Sequence, residues 1–438
     1  MWRRRIIDRL KDFLLDVRSR NLLPIVGTLV ILLALGNGGD AALRAQWSQF
    51  RGPNGQGRSQ ARRLPRMWSE SENVVWKIPI AGLGHSSPVL LGDQIWLTTA
   101  MNEGHSLRAV CINTEDGRVM FDSEVFTPAE PTKIDKSNSH ATPTPVVEPG
   151  RVYVHYGSMG TACLSTHTGE VLWRNEELSV DYRSGPANSP ILFNGLLIVH
   201  FDGADRQFVA AFDALTGRIA WKTDRSAPFQ DDPILKRAFA TPVLITVKGK
   251  TQLISLGADQ MQSYDLITGK EVWQIRYSGT SNIPMPLVGS EMVYVSTGFR
   301  KPELWAIRTD GNGDVTDSHV VWRYTRQVPT VVSPLLVGNR IYMVTELGVA
   351  VCLDVATGEP VWQERISGNF SASMVYGDGS IYTFSEEGNA TVVYPADEFR
   401  LLATNKLDGQ IKATPALADG SIFLRTTSHL YRIGGYSR

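Results

Sequence analysis

Ala211-Phe212-Asp213-Ala214-Leu215-Thr216-Gly217-Arg218-Ile219-Ala220-Trp221 is the stretch on which the fold of this 438-residue chain turns. It joins an apolar strand to a Thr-Gly turn and ends on a tryptophan placed four residues after the glycine. The same spacing recurs at Gly169 and Trp173, Gly269 and Trp273, and Gly358 and Trp362, each glycine following a threonine. Asp116-Gly117 leads to Phe121 in a degenerate copy, and Asp310-Gly311 reaches Trp322 through a longer loop. A unit that repeats about every 40 to 55 residues defines the architecture before any single residue is weighed.

Outward from the turn, each copy opens on a Ser-Pro or Thr-Pro pair: Ser87-Pro88, Thr142-Pro143, Ser189-Pro190, Thr241-Pro242, Ser333-Pro334 and Thr414-Pro415. Met285-Pro286 and Ala372-Ser373 stand in for it in two weaker copies. An apolar strand such as Leu197-Ile198-Val199 follows, then one like Val209 to Asp213, then the turn and the tryptophan strand. No helical periodicity accompanies them. Glycine supplies the positive φ of a tight turn. The tryptophan offers a large flat side chain for the gap between neighbouring sheets, so Trp76, Trp173, Trp221, Trp273, Trp322 and Trp362 read as packing residues.

Four short strands per radial repeat describe a β-propeller blade, and eight starts imply eight blades. The eighth copy runs only from Thr414 to about Ile433, too short for four strands. Asn73-Val74-Val75-Trp76-Lys77-Ile78 is a matching tryptophan-bearing strand with no blade before it. The expected fold is therefore an all-β, eight-bladed propeller over residues 70–438, its ring closed by the N-terminal strand so that no sheet edge stays open. Residues 46–69, rich in glycine and proline, read as an irregular lead-in.

Residues 1–45 form a separate segment. Arg3, Arg4, Arg5, Arg9, Lys11, Arg18 and Arg20 flank an uncharged apolar run from Leu22 to Gly36. That run suits a signal-peptide core better than a full membrane span of about 17–25 residues. The basic flank lies on its N-terminal side, which directs the rest of the chain out of the cytoplasm. The expected location is the periplasmic side of a bacterial envelope: soluble if the segment is cleaved near Ala41 to Ala45, held at the inner membrane if it is not. The whole chain has zero formal charge. With no basic excess, nucleic acid is excluded as an expected partner.

Cys111, Cys163 and Cys352 each stand six residues before the turn glycine of their own repeat, where Ala211 and Ser263 stand in others. The position calls for a small side chain on a packed strand, and neither a disulfide nor a cysteine metal site is expected. Loops that precede the innermost strands should rim the channel on one face. His85, Ser86, His140, Arg183, Asn188, Phe239 and Asn369 are the candidate rim residues for a ligand or partner; the same residues also suit structural caps at the blade starts. Asp310, Asn312, Asp314 and Asp317 space oxygen donors like the first half of a calcium loop, but the glycine and glutamate of an EF-hand are missing. An enlarged hairpin explains them equally. No nucleophile elbow, phosphate loop or helix-borne metal pair is present, so no catalytic residue is assigned.

The Ala-Phe-Asp-Ala-Leu-Thr-Gly-x-x-x-Trp unit of residues 211–221, with its copies at Trp173, Trp273 and Trp362, resembles the PQQ-like (pyrroloquinoline quinone) β-propeller repeat over about residues 70–434. The resemblance implies one of two kinds of member. Quinoprotein alcohol dehydrogenases bind the quinone and calcium on the channel axis and carry an adjacent Cys-Cys disulfide. BamB-type scaffolds of outer-membrane assembly have the same ring and no cofactor. This chain has no adjacent cysteines, no matching calcium set and loops too short for the dehydrogenase cap. It also lacks the lipid-anchor cysteine of BamB. The resemblance thus points to a non-catalytic, BamB-like branch with no cofactor and a protein, peptide or glycan partner. A quinoprotein oxidoreductase using PQQ and calcium, or a membrane-anchored extracytoplasmic sensor, are the alternatives.

Overall fold

A computed structural model describes residues 47–226 and 230–434; the leader or anchor expected in residues 1–45 lies outside the described residues. Eight sheets, each with four antiparallel strands, form the propeller ring. Blade 3 shows the pattern from inside outward: Ile191–Phe193, Leu196–Asp202, Gln207–Asp213 and Ile219–Asp224. Among the described residues the only helical turns are three short 3-10 pieces, and no helix is long and apolar enough to cross a membrane.

Blade 8 supplies Ala416–Ala418, Ser421–Arg425 and His429–Gly434, and Val74–Pro79 completes it as the outermost strand. That strand pairs antiparallel with His429–Gly434, placing Trp76 opposite Arg432 and Ile78 opposite Leu430. The ring is thus closed by the N-terminal strand, as the orphan strand in the sequence implied.

The Thr-Gly…Trp motif works between blades rather than within one. Trp173 of blade 2 lies over Gly217 of blade 3, where a Cβ would come within 2.5 Å of the indole. Trp221 covers Gly269 and Trp322 covers Gly358 in the same way, each at 2.6 Å. The glycines hold φ near +70°, so the turn conformation and the close approach both require glycine. Each indole N–H also donates to a carbonyl of the next turn: Trp173 to Ala214 at 3.0 Å, Trp221 to Leu266 at 2.9 Å, Trp362 to Ala396 at 3.0 Å. The tryptophan of one repeat is the lock for the glycine of the next.

The cysteine position has an equally local cause. Cys111 pairs across the strand with Phe121, Cys163 with Trp173 and Cys352 with Trp362, as Ala211 pairs with Trp221 and Ser263 with Trp273. Directly paired residues share a sheet face, so in these five repeats a small residue leaves room for the ring; Trp76, opposite Arg432, departs from the pattern. All three cysteines are buried free thiols, and burial pushes Cys163 and Cys352 up to about 12.

Two blade starts differ from the sequence reading. Blade 2 begins on Thr144-Pro145 rather than Thr142-Pro143, because its innermost strand is Val146–Glu148. Blade 7 uses Ser373 rather than Ala372, ahead of Val375–Gly377. The Asp310 loop is more than an enlarged hairpin. Its Gly313–Asp314 adds a fifth, parallel strand to blade 4, against Trp273 and Gln274.

Candidate functional site

Two residues before the innermost strand, seven blades carry a hydroxyl: Ser87, Thr144, Ser189, Thr241, Ser333, Ser373 and Thr414. These hydroxyls tie the blades together at the channel mouth. Ser87 N–H donates to Thr144, Thr144 N–H to Ser189, and Ser189 N–H to Thr241, each at 3.0 Å. Met285, Ser333 and Ser373 continue the series into Ser333, Ser373 and Thr414 at 3.0, 3.1 and 2.9 Å. Met285 lacks a hydroxyl, and the step from Thr241 is missing there.

Two residues earlier in each blade stand His85, Thr142, Ala187, Phe239, Ile283, Val331, Ser371 and Lys412, and every one lines a single cavity of about 520 Å³. Extended backbone turns alternate side chains to opposite sides. Hydroxyl and second-preceding residue therefore face the channel, and the residue between them points back into the blades. The result is a bowl with an inner hydroxyl ring and an outer ring of mixed character.

Phe50 also lines this bowl. It belongs to the lead-in, which is irregular but packed along the channel. Innermost strands have a free edge of N–H and C=O groups facing the axis, and the lead-in satisfies part of it in six blades. Trp47 bridges Leu90, with amides bonded both ways at 3.2 and 2.9 Å, and Ser48 O accepts Val147 N–H at 2.9 Å. The Gln56 side chain accepts Val288 N–H at 2.9 Å, and Arg51 Nη2 donates to Pro334 O at 2.6 Å. Gly57 and Ser59 bond Tyr376 at 2.7 and 2.8 Å, and Ser59 Oγ donates to Leu417 O at 2.8 Å.

The bowl is electrically divided. Phe239, Ile283, Phe299 and Val331 make an apolar wall over blades 4 to 6, while His85, Ser371, Glu386 and Lys412 lie on the other side. Burial, with Lys412 and Arg425 nearby, pushes His85 down to about 3, so its imidazole is neutral. Lys412 Nζ donates to Ser137 O at 2.9 Å. Glu386 accepts from Ser371 Oγ, and from Gln410 Nε2 at 2.8 Å. Asp135 accepts the Ser137 amide and hydroxyl at 2.9 and 2.7 Å, which hold its carboxyl below the usual range.

Of the rim residues expected from the sequence, His85 and Phe239 face the bowl. Ser86 and Asn188 occupy the intervening, inward position; Ser86 Oγ accepts Arg425 Nη1 at 2.7 Å, and Asn188 Nδ2 donates to His200 O at 2.7 Å. His140 is two residues out of register because Thr144, not Thr142, is the ring hydroxyl, and it sits under Gly104 with its Nε2 2.8 Å from Thr132 O. Arg183 is exposed and paired with Asp181 at 2.8 Å, and Asn369 bonds Glu387 at 2.7 Å; neither lines the bowl. Thr142, Ile283, Val331, Ser371 and Lys412 were legible once the hydroxyl register is set. Phe50 and Arg237 were not.

Two of the calcium-like acids, Asp310 and Asp314, are engaged elsewhere. Asp310 lies 3.4 Å from His319 and 3.7 Å from Arg308, and Asp314 lies 3.4 Å from Arg276 while accepting Thr316 Oγ1 at 2.6 Å. Among the described residues no three His, Cys, Asp or Glu side chains are grouped to hold a metal ion.

Eight such blades with inter-blade tryptophan locks define an eight-bladed propeller of the PQQ-like repeat class. A family model described as "Outer membrane protein assembly factor BamB" matches residues 61–223 and 205–435, and the chain belongs to this family. The Shewanella oneidensis protein of the same description is 21% identical over 239 residues. That match covers 51% of this chain and 57% of the relative, so it spans little more than half the relative's length. The crystal structure of BamB from Moraxella catarrhalis superposes with a TM-score of 0.58 at 13% identity, over 82% of this chain and 99% of that one. A europium-containing methanol dehydrogenase gives 0.65 at 10% identity, over 87% and 91%. A quinohemoprotein alcohol dehydrogenase from Pseudomonas putida gives 0.60 at 10%, over 90% and 81%. At these identities the structures share the fold alone.

Proposed function

We propose that this chain is a non-enzymatic binding or scaffold protein of the bacterial cell envelope that presents the bowl to a protein or peptide partner. Residues 1–45 serve as export signal or inner-membrane anchor, 46–69 as lead-in and 70–438 as propeller. The observation that carries the reading is the bowl itself: all eight blades contribute one side chain each to a concave, half-apolar surface over the lead-in, with polar groups at fixed places. Membership of a family described by BamB supports a protein partner over a glycan.

The bowl fits a quinone–calcium pair poorly. Its two carboxylates, Asp135 and Glu386, already accept from serine and glutamine donors, and among the described residues no third acid and no cysteine lines it. The test is a photo-crosslinking phenylalanine placed at Ile283 in the bowl and, as control, at Leu172, which is exposed on the outermost strand of blade 2. Adducts to a defined envelope protein from Ile283 and not from Leu172 are expected. Dye reduction by an alcohol after adding the quinone and calcium would overturn the reading.

A further inference from the structure

Among the described residues Arg237 is the one cation lining the apolar side of the bowl, and it is built in place. Its side chain is 8% exposed. Nε donates to Ile234 O at 3.0 Å, and Nη1 donates to Tyr182 O at 3.0 Å and to Ser184 Oγ at 2.7 Å. Its own carbonyl accepts Ser281 N–H at 2.8 Å, and Phe239 N–H donates to Asn282 O at 2.7 Å, which pins the loop on blade 5. The guanidinium lies 5.7 Å from the Phe239 ring. Nη2 donates to no acceptor among the described residues, and no carboxylate there forms an ion pair with Arg237. A fixed guanidinium with one edge left for a ligand loses little freedom on binding, and carboxylates suit its geometry.

We infer that Arg237 reads a carboxylate on the partner, and that the bowl takes an acidic–apolar peptide: an Asp or Glu side chain at Arg237 beside an aromatic or branched residue against Phe239, Ile283 and Phe299. This rests on the peptide-binding reading of the bowl. The wall opposite is polar instead, with Ser371, Glu386 and Lys412, so the apolar side chain of the peptide is matched only on the Phe239 side. The neighbourhood is partly screened from water, so the charge-assisted bond is worth more than at an open surface.

Calorimetric titration with acetyl-Gly-Glu-Phe-Gly-amide and its Gln counterpart tests this. The Glu peptide should bind about tenfold more tightly. Arg237→Met should bring the ratio to about one, Arg237→Lys should restore part of it, and Phe239→Ala should weaken both peptides alike. Should Arg237→Met fail to fold by circular dichroism, the Lys and Phe239 variants still decide the matter. Equal binding of the two peptides, or a Glu preference that survives Arg237→Met, overturns the assignment and leaves the peptide-binding reading standing. No binding of either peptide, together with no adduct from Ile283, overturns both.

Discussion

Arg225 and Asp202 form a two-pronged ion pair out of reach of solvent: Nε meets Oδ1 at 2.6 Å and Nη2 meets Oδ2 at 2.7 Å. Both belong to blade 3, and the same guanidinium donates to Ser255 Oγ at 2.8 Å and Gln262 Oε1 at 2.9 Å in blade 4. Burial works against its charge and the Asp202 carboxylate overcomes it, raising the guanidinium above its ordinary value. Truncating one partner strands the other. Arg225→Met should cost about 3–5 kcal/mol in urea unfolding, and adding Asp202→Asn should recover part of that; a cost below 1 kcal/mol would show that the pair is incidental.

The tryptophan–glycine lock predicts a strong, specific sensitivity at a solvent-facing turn. Gly217→Ala must place a Cβ against Trp173 from a residue at φ +72°, and should cost about 1–3 kcal/mol. Gly195, also at positive φ but with nothing near its Cβ position, should cost less on the same substitution. Thermal melts of the two variants, side by side, measure the part due to the lock.

Ring closure predicts that loss of residues 70–79 removes the outermost strand of blade 8 and exposes the edge of His429–Gly434. The truncated chain should aggregate or fail to fold. A monomeric, cooperatively melting product would contradict this.

His155 is fully buried, and burial pushes it down to about 3. Its Nδ1 lies 2.9 Å from Thr161 Oγ1, while its ring meets Phe201 edge-on at 5.5 Å. The unfolded chain protonates near 6.5, so the folded state is favoured above that pH and loses stability as pH falls from about 6.5 towards 3. The slope is about 1.4 kcal/mol per pH unit for one such group. His200, also lowered by burial and by Arg225, adds to it. In urea titrations at several pH values, His155→Gln should flatten the acid limb.

Arg51 is buried in the lead-in, pushed down to about 9 by burial, and forms no ion pair with an acid among the described residues. Arg51→Met should therefore leave stability unchanged or raise it. Trp47→Ala, emptying a fully buried site, should cost about 3–5 kcal/mol. Paired melting curves separate the packing role of the lead-in from the charge it carries.

Whatever depends on local chemistry was legible in the residues. Strand alternation, the positive-φ glycine and its tryptophan repeat within a few residues of each other, so blade number, the orphan strand of Trp76 and the small residue six positions before Gly117, Gly169, Gly217, Gly269 and Gly358 could all be read. Tertiary structure decided the bowl. A two-residue error at Thr142 and Thr144 was enough to promote His140: such a shift keeps the alternation but moves the position about 7 Å along the extended segment, off the bowl. Arg51 meets Pro334 across 283 residues, and Arg237 gains its fixed geometry from Tyr182 and Ser184, more than 50 residues away. No period in the chain encodes such meetings, because they arise only when eight blades bring their loops to one axis.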